Sequence, residues 1–152
     1  MLQNRVPPPL VAIAFGLLMG GLSGVSPRYE LTPLLAIAIA LVGLTVCLAG
    51  VWSFHRARTT VNPLHPERAW ALLDTGIYRC TRNPMYLGFA VILLAWASLL
   101  GSPTALLGVA GFVVFMNRFQ IAPEEQALTQ LFAADFARYC GRVRRWLRAL
   151  HL

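Results

Sequence analysis

The chain has 152 residues, of which 57% are hydrophobic and only 12% are charged, and its mean hydropathy is +0.61. Soluble globular chains carry about 25% charged residues, and the apolar residues here form blocks too long for a solvated domain of this size to bury. This composition excludes an ordinary soluble domain and predicts one integral membrane domain. The positive charge comes from 13 arginines and no lysine. Because these arginines flank apolar blocks, we expect a lipid bilayer as the partner and no nucleic acid.

Four apolar segments predict an all-α membrane protein with about four transmembrane helices, at residues 10–25, 33–54, 84–100 and 104–116. The second segment is long enough, at ~1.5 Å per residue, to cross a hydrocarbon core of ~30 Å. The last two are short for full spans, and whether they cross completely stays open. Gly101-Ser102-Pro103 joins them and predicts a tight helical hairpin. The first segment could instead be a cleaved signal peptide, but it lacks a clean small-x-small cleavage site.

The placement of arginine predicts the topology. With four crossings, twelve arginines share one side of the membrane and only Arg28 lies on the other. The positive-inside rule then puts both termini, and the loop between the second and third spans, in the cytoplasm. The expected setting is the inner membrane of a prokaryotic cell. No acidic residue falls inside a span, so we expect any polar chemistry at the cytoplasmic interface.

The cysteines and histidines indicate neither a metal site nor a disulfide framework. Cys47, Cys80 and Cys140 are an odd number of thiols without metal-ligand spacing, and the three histidines are scattered. The whole chain is predicted to form a single domain. Residues 1–54 would supply two N-terminal spans, and residues 55–152 would supply a cofactor-binding loop, the hairpin and a C-terminal helix.

The beginning of the third helix is the first candidate site. Asn83 is a favoured N-cap residue and Pro84 suits the first helical position, so Arg82 and Asn83 are predicted at the mouth of this helix, with Tyr86 in its first turn. Free backbone N–H groups and a guanidinium attract an anion such as a carboxylate. An ordinary capped membrane helix with an interfacial arginine and tyrosine remains an equal alternative.

A second predicted helix begins at Pro123-Glu124-Glu125, where acids in the first turn favour the helix dipole. The hairpin returns these carboxylates to the side of the membrane where Arg82 lies. Apolar residues recur at helical spacing from there to Leu150, opposite a basic face. This pattern predicts an amphipathic helix on the membrane surface, or one packed over the cytoplasmic loop, with Gly141 as a possible break.

These motifs together resemble the isoprenylcysteine carboxyl methyltransferase and phospholipid methyltransferase superfamily, over roughly residues 59–147. The resemblance rests on the run from Asp74 to Gly88, the apolar hairpin and Glu124-Glu125, with a tail ending Val-Arg-Arg-Trp. The superfamily's signature is Arg-His-Pro-x-Tyr-x-Gly, an apolar hairpin and Glu-Glu. Asn83 stands where that signature has His, so no imidazole acid–base role is available at this position.

The resemblance implies S-adenosylmethionine as cofactor and a lipophilic methyl acceptor. Carried over by motif, the residues expected to line the cofactor site are Arg82, Asn83, Tyr86, Gly88, Glu124 and Glu125. Glu125 also stands as a candidate catalytic residue, and so does Arg118, which would orient an anionic acceptor or simply anchor the helix at the interface. The expected acceptor is an isoprenylcysteine-like carboxylate, with a phospholipid amine as the alternative. A reductase using NADPH and a small four-helix transporter are less favoured, because the chain has no dinucleotide glycine fingerprint and no acid within a span.

Overall fold

A computed structural model describes residues 6–25, 33–56 and 72–147, and within these ranges the protein is helical with no strand. Five α-helices follow in chain order: α1 (Pro8–Leu22), α2 (Pro33–Arg56), α3 (Pro84–Leu100), α4 (Ala105–Met116) and α5 (Ala122–Arg142). A 3-10 turn, Gly76–Arg79, precedes α3, and a π-helical turn, Asn117–Ile121, joins α4 to α5. Several predicted positions lie outside the described residues: Arg5, Arg28, Arg58, Arg68, Arg148 and the predicted helix end at Leu150.

Helix α3 is the central helix and contacts α1, α2 and α4. Its approach to α2 depends on two glycines. A Cβ on Gly43 would lie 2.8 Å from the Gly88 carbonyl oxygen, and a Cβ on Gly88 would overlap Cys47 Sγ. Small residues of this kind let helix backbones come close in membrane proteins. Their contact fixes α3, and therefore the residues at its beginning, against α2.

The predicted hairpin is confirmed. Gly101 ends α3 in the left-handed conformation (φ 59°, ψ 27°), a helix ending that glycine adopts without a Cβ penalty. Helix α4 then returns along the bundle and packs against α1, where Phe15 meets Phe112 edge to face at 5.9 Å between centroids. Thr104 Oγ1 also donates to the Leu22 carbonyl, which ties the hairpin turn to the end of α1. The apolar core therefore forms among α1, α3 and α4.

The predicted helix at Pro123-Glu124-Glu125 is α5, which begins at Ala122 and has both glutamates in its first turn. Its beginning is joined to α4, however: residues Ala105–Arg142 form one long helical segment of 38 residues, bent at Ala133, and the backbone stays helical through Ile121, the residue before α5. We attribute the continuity to the π-helical turn: a wider turn immediately before Pro123 accommodates a residue that has no N–H to donate. The free helix N-terminus expected beside the two glutamates is therefore absent.

The amphipathic helix ends earlier than its apolar spacing predicted. It bends at Ala133 (φ 32°, ψ −104°) and ends at Arg142, one residue past Gly141, with Val143 already extended. We call residues Val143–Leu147 the C-terminal strap. The apolar face of α5 packs over the segment before α3 in a second small core of Leu73, Tyr78, Phe136, Tyr139 and Val143. Of the two compatible placements expected for this helix, the structure shows the packing over the loop before α3, and a position on the membrane surface stays a prediction.

The outer surfaces of α1 and α2 are apolar. Leu17, Leu34 and Trp52 are 74%, 77% and 70% exposed, which suits contact with lipid rather than water. Among the described residues, two helices are long and apolar enough to cross a membrane, Pro33–Arg56 and Ala105–Arg142, whereas α1 and α3 are shorter apolar helices. The helical membrane fold agrees with the prediction. The number of crossings and their orientation remain predictions.

Candidate functional site

The C-terminal strap lies against the beginning of α3, and its backbone carbonyls accept three hydrogen bonds from the residues there. The Arg82 N–H donates to the Arg144 carbonyl at 3.0 Å, and Thr81 Oγ1 and Asn83 Nδ2 donate to the Arg145 carbonyl at 3.1 and 3.0 Å. Asn83 occupies the N-cap position, but its side chain makes no capping hydrogen bond. The expectation that the Asn83 side chain caps α3 is therefore wrong; its Nδ2 instead donates to the strap. The helix mouth predicted to be open is partly closed by these contacts.

Glu125 sits at the centre of a cluster of charged side chains. Its Oε1 lies 3.0 Å from Arg82 Nη2, and Arg145 Nε donates to both of its oxygens at 3.0 Å. The side chains of Arg82 and Glu125 are 13% and 19% exposed, whereas that of Arg145 is 42% exposed. The hydrogen bond from Arg145 to Glu125 raises the pKa of Arg145 above its ordinary value. Two guanidiniums on one carboxylate leave this cluster with a net positive charge, which favours an anionic ligand.

Arg82 is fixed from several directions and still has one unused donor. Its Nη1 donates to Cys140 Sγ, and its guanidinium carbon lies 6.0 Å from the centroid of the Phe136 ring. Its Nε is buried and has no hydrogen-bond partner among the described residues. A buried unpaired polar group costs about 1–3 kcal/mol. A ligand that supplies an oxygen to Arg82 Nε would recover that free energy.

Glu124 lies next to this cluster in a different electrostatic state. The Tyr86 hydroxyl donates to Glu124 Oε1, which joins the first turn of α3 to the beginning of α5. Glu124 lies beyond the apolar part of the long helix, and burial raises the pKa of its carboxyl to about 8, against the opposing effect of the Tyr86 hydrogen bond. Most Glu124 carboxyls are therefore neutral at pH 7, so the ionised carboxylate of the pair is the one held by arginines.

Two predicted site residues lie apart from this cluster. Gly88 is buried in the contact between α2 and α3, where it faces Gly43 and Cys47. Arg118 lies in the π-helical turn with an exposed side chain, and no hydrogen bond or ion pair among the described residues includes it. The structure thus brings together Arg82, Asn83, Tyr86, Glu124 and Glu125, whereas the roles of Gly88 and Arg118 stay predictions.

Sequence reasoning missed the part that the C-terminal strap plays. Helical spacing alone places Arg145 on the basic face of the predicted C-terminal helix, yet its side chain donates to Glu125 and its carbonyl accepts from Asn83. Trp146 Nε1 donates to Asn117 Oδ1 in the π-helical turn, which anchors the strap on its other side. A signal was available: the Val-Arg-Arg-Trp tail belongs to the resemblance described above. The apolar spacing of this tail continues the helical pattern, so spacing alone does not predict the change to an extended backbone at Val143.

The fold and the site first define a class: a helical membrane protein with an arginine–glutamate site where an apolar hairpin meets the C-terminal strap. A family model described as phospholipid methyltransferase matches residues 31–135, which is more than half of the chain. The chain therefore belongs to the phospholipid methyltransferase family and is a membrane methyltransferase. The matched residues include both glutamates and the beginning of α3, but they end before the strap.

The relatives that the chain matches include an uncharacterized protein and two probable methyltransferases. The chain is 49% identical over 63 residues to an uncharacterized protein of Haemophilus influenzae, covering 41% of this chain and all of that protein. It is 26% identical over 119 residues to a probable protein-S-isoprenylcysteine O-methyltransferase from rice (Oryza sativa subsp. indica), and equally to its japonica counterpart. That match covers 76% of this chain, and this chain spans 61% of the length of the rice proteins.

Proposed function

We propose that the protein transfers a methyl group from S-adenosylmethionine to a lipophilic acceptor at the cytoplasmic face of the membrane. The observation that carries this proposal is the buried, unpartnered Nε of Arg82 beside two glutamates. S-adenosylmethionine would supply an electrophilic methyl on a sulfonium, and its amino acid part offers a carboxylate and an ammonium. A site with an unused guanidinium donor and adjacent acids fits both of these charges.

Different residues of this chain would bind the two charged groups of the donor's amino acid part. Arg82 would take the donor's carboxylate through Nε, because its other two nitrogens are committed to Glu125 and Cys140. Glu125, the ionised member of the acid pair, would pair with the ammonium, and Glu124, which Tyr86 holds in place, would lie beside it as a neutral group that lines the site. Asn83 would act through the strap, by fixing the Arg145 carbonyl. Family resemblance adds Gly88, whose role here is to let α3 approach α2 closely.

For the acceptor we propose an isoprenylcysteine-like carboxylate. A carboxylate is already ionised at pH 7, so its methylation needs no general base. Charge is neutralised between the sulfonium and the carboxylate during transfer, and a water-poor site favours that change. Arg118, exposed where the apolar part of the long helix ends, would orient the anionic acceptor. The lipid-facing helices would accommodate its apolar tail.

A phospholipid amine is the second candidate acceptor, and one observation favours it. An ammonium must lose a proton before it can attack, and a general base works best when its pKa lies near the working pH. The pKa of Glu124, raised by burial to about 8, meets that requirement. The family's description is also consistent with phospholipid methylation.

The linkage formed in the product distinguishes the two acceptors. Membranes containing the protein would be incubated with methyl-labelled S-adenosylmethionine, and the labelled lipid fraction would be treated with base. A methyl ester releases labelled methanol under base, whereas an N-methyl group keeps its label. Arg82→Gln should abolish labelling, and Arg138→Gln, which removes an exposed arginine that pairs with Asp135, should not. Equal labelling by both variants would contradict the site.

The proposed orientation places the site and both termini in the cytoplasm. Single cysteines introduced into an otherwise cysteine-free variant would test it with a membrane-impermeant thiol reagent. A cysteine at Pro103, the exposed residue of the hairpin turn, should react from outside the cell, and one at Arg144, in the strap, only after the membrane is opened. The reverse pattern would overturn the orientation.

A further inference from the structure

Glu125 has no free oxygen in this structure. Oε1 contacts Arg82 Nη2 and Arg145 Nε, and Oε2 contacts Arg145 Nε and Nη2. A carboxylate held by a guanidinium in this forked arrangement has its charge compensated. An incoming ammonium cannot pair with Glu125 unless one of the two arginines gives up its contact.

Glu124 is a poor substitute as partner for an ammonium. Burial raises the pKa of its carboxyl to about 8, so near neutral pH most molecules carry it uncharged, and one oxygen already accepts the Tyr86 hydroxyl. The negative charge of the acid pair therefore resides on Glu125. An ammonium that binds at this pair needs the carboxylate that Arg145 and Arg82 now hold.

Arg145 is the arginine whose side chain is free to leave. Arg82 is 13% exposed and is also held by Cys140 and by the face of the Phe136 ring. Arg145 is 42% exposed, and Glu125 is its side chain's hydrogen-bond partner within the described part of the chain. Its carbonyl remains fixed by Thr81 and Asn83, so the side chain can swing towards solvent while the strap stays in place.

We propose that the Arg145 guanidinium occupies the position beside Glu125 that the ammonium of the methyl donor takes, and that the Arg145 side chain must leave this position when the donor binds. This inference deepens the proposed function and rests on it. Arg145 then lowers the affinity for the donor by competition. It pairs with Glu125 when the site is empty, and a ligand that carries an ammonium displaces it.

Two ligands that differ only in the amino acid part test the competition by isothermal titration calorimetry on the detergent-solubilised full chain. S-adenosylhomocysteine carries the ammonium and carboxylate, whereas 5′-methylthioadenosine keeps the adenosine and thioether without either charge. The variant is Arg145→Gln. The matched control is Arg144→Gln, which removes the same charge one residue away and keeps the backbone carbonyl that accepts from Arg82.

Loss of a partly exposed competing ion pair should tighten S-adenosylhomocysteine binding by about two- to fivefold. Binding of 5′-methylthioadenosine should not change, and Arg144→Gln should bind both ligands like the wild type. Weaker or unchanged S-adenosylhomocysteine binding by Arg145→Gln overturns the inference, because Arg145 would then be a ligand of the donor or irrelevant to it. If the glutamine variant does not fold, Arg145→Lys, which loses the forked contact, must show tightening or the inference fails. Wild-type protein that binds neither nucleoside would instead contradict the proposed function itself.

Discussion

Glu125→Gln is the substitution whose consequences the structure specifies most fully. It removes the negative charge from between two guanidiniums and leaves Arg82, which is 13% exposed, without its carboxylate. Breaking a fully buried ion pair by removing one partner costs about 3–5 kcal/mol. Because Glu125 is 19% exposed and Arg145 reaches solvent, we expect about half of that, roughly 2 kcal/mol. For a chain of this length that corresponds to a fall in Tm of about 4–8 °C.

The matched control on the same helix is Asp135→Asn. Asp135 also pairs with an arginine, Arg138, but these side chains are 63% and 75% exposed. An exposed pair of this kind contributes about 0.3–0.5 kcal/mol, which corresponds to a change in Tm of about 2 °C or less. Thermal unfolding of the detergent-solubilised variants, followed by circular dichroism, provides the comparison.

Donor binding gives an independent readout of the same substitution. Loss of a charge-assisted contact of about 1.5–3 kcal/mol should weaken S-adenosylmethionine binding by roughly tenfold or more in Glu125→Gln, with no change in Asp135→Asn. If the two variants unfold at the same temperature and bind the donor equally well, the Glu125 cluster neither stabilises the fold nor contributes to the site, and the reasoning is refuted.

Three further predictions concern neighbouring contacts. Burial raises the pKa of Glu124 to about 8, so the folded protein favours its neutral form. The contribution of this group to the free energy of unfolding is therefore present below about pH 4.5 and is lost as pH rises through 8. The Tm should fall with pH across that range, and Glu124→Gln should make this dependence weaker. Asn83→Leu should lower stability by about 1 kcal/mol and weaken donor binding, because the bond to the Arg145 carbonyl is lost, whereas Asn83→His should keep the fold and much of the activity. Gly88→Ala should cost about 1–3 kcal/mol in a denaturant titration through overpacking, while Gly141→Ala, whose Cβ meets nothing within 4 Å, should not destabilise the protein. A neutral Gly88→Ala would contradict the close contact of α2 and α3.

The helical framework was predictable because its signals are local. Helices α2 and α3 begin at Pro33 and Pro84, as predicted, and Gly101 ends α3 in the left-handed conformation that glycine adopts easily. Hydrophobic length predicted α2 without reference to any other part of the chain. The convergence of Arg82, Tyr86 and the two glutamates followed from the hairpin, since a return helix must bring its end back beside the beginning of its partner.

The features that sequence did not predict depend on tertiary contacts. Pro123 followed by two acids is typical of a helix start, yet the π-helical turn before it keeps the long helix continuous. Apolar spacing past Val143 continued a helical period, but hydrogen bonds from residues 81–83 hold the strap extended. A periodic pattern contains no information about a partner that lies about 60 residues away, so the role of Arg145 was not predictable from its own segment.

The measurement that tests the central claim most directly is calorimetric titration of the wild-type protein with S-adenosylmethionine and, separately, with NADPH. We predict saturable binding of S-adenosylmethionine that Arg82→Gln abolishes, because Arg82 Nε is the unused buried donor of the site, and no binding of NADPH. Saturable binding of NADPH without binding of S-adenosylmethionine would contradict the proposed donor and the assignment of the Arg82–Glu125 site to it.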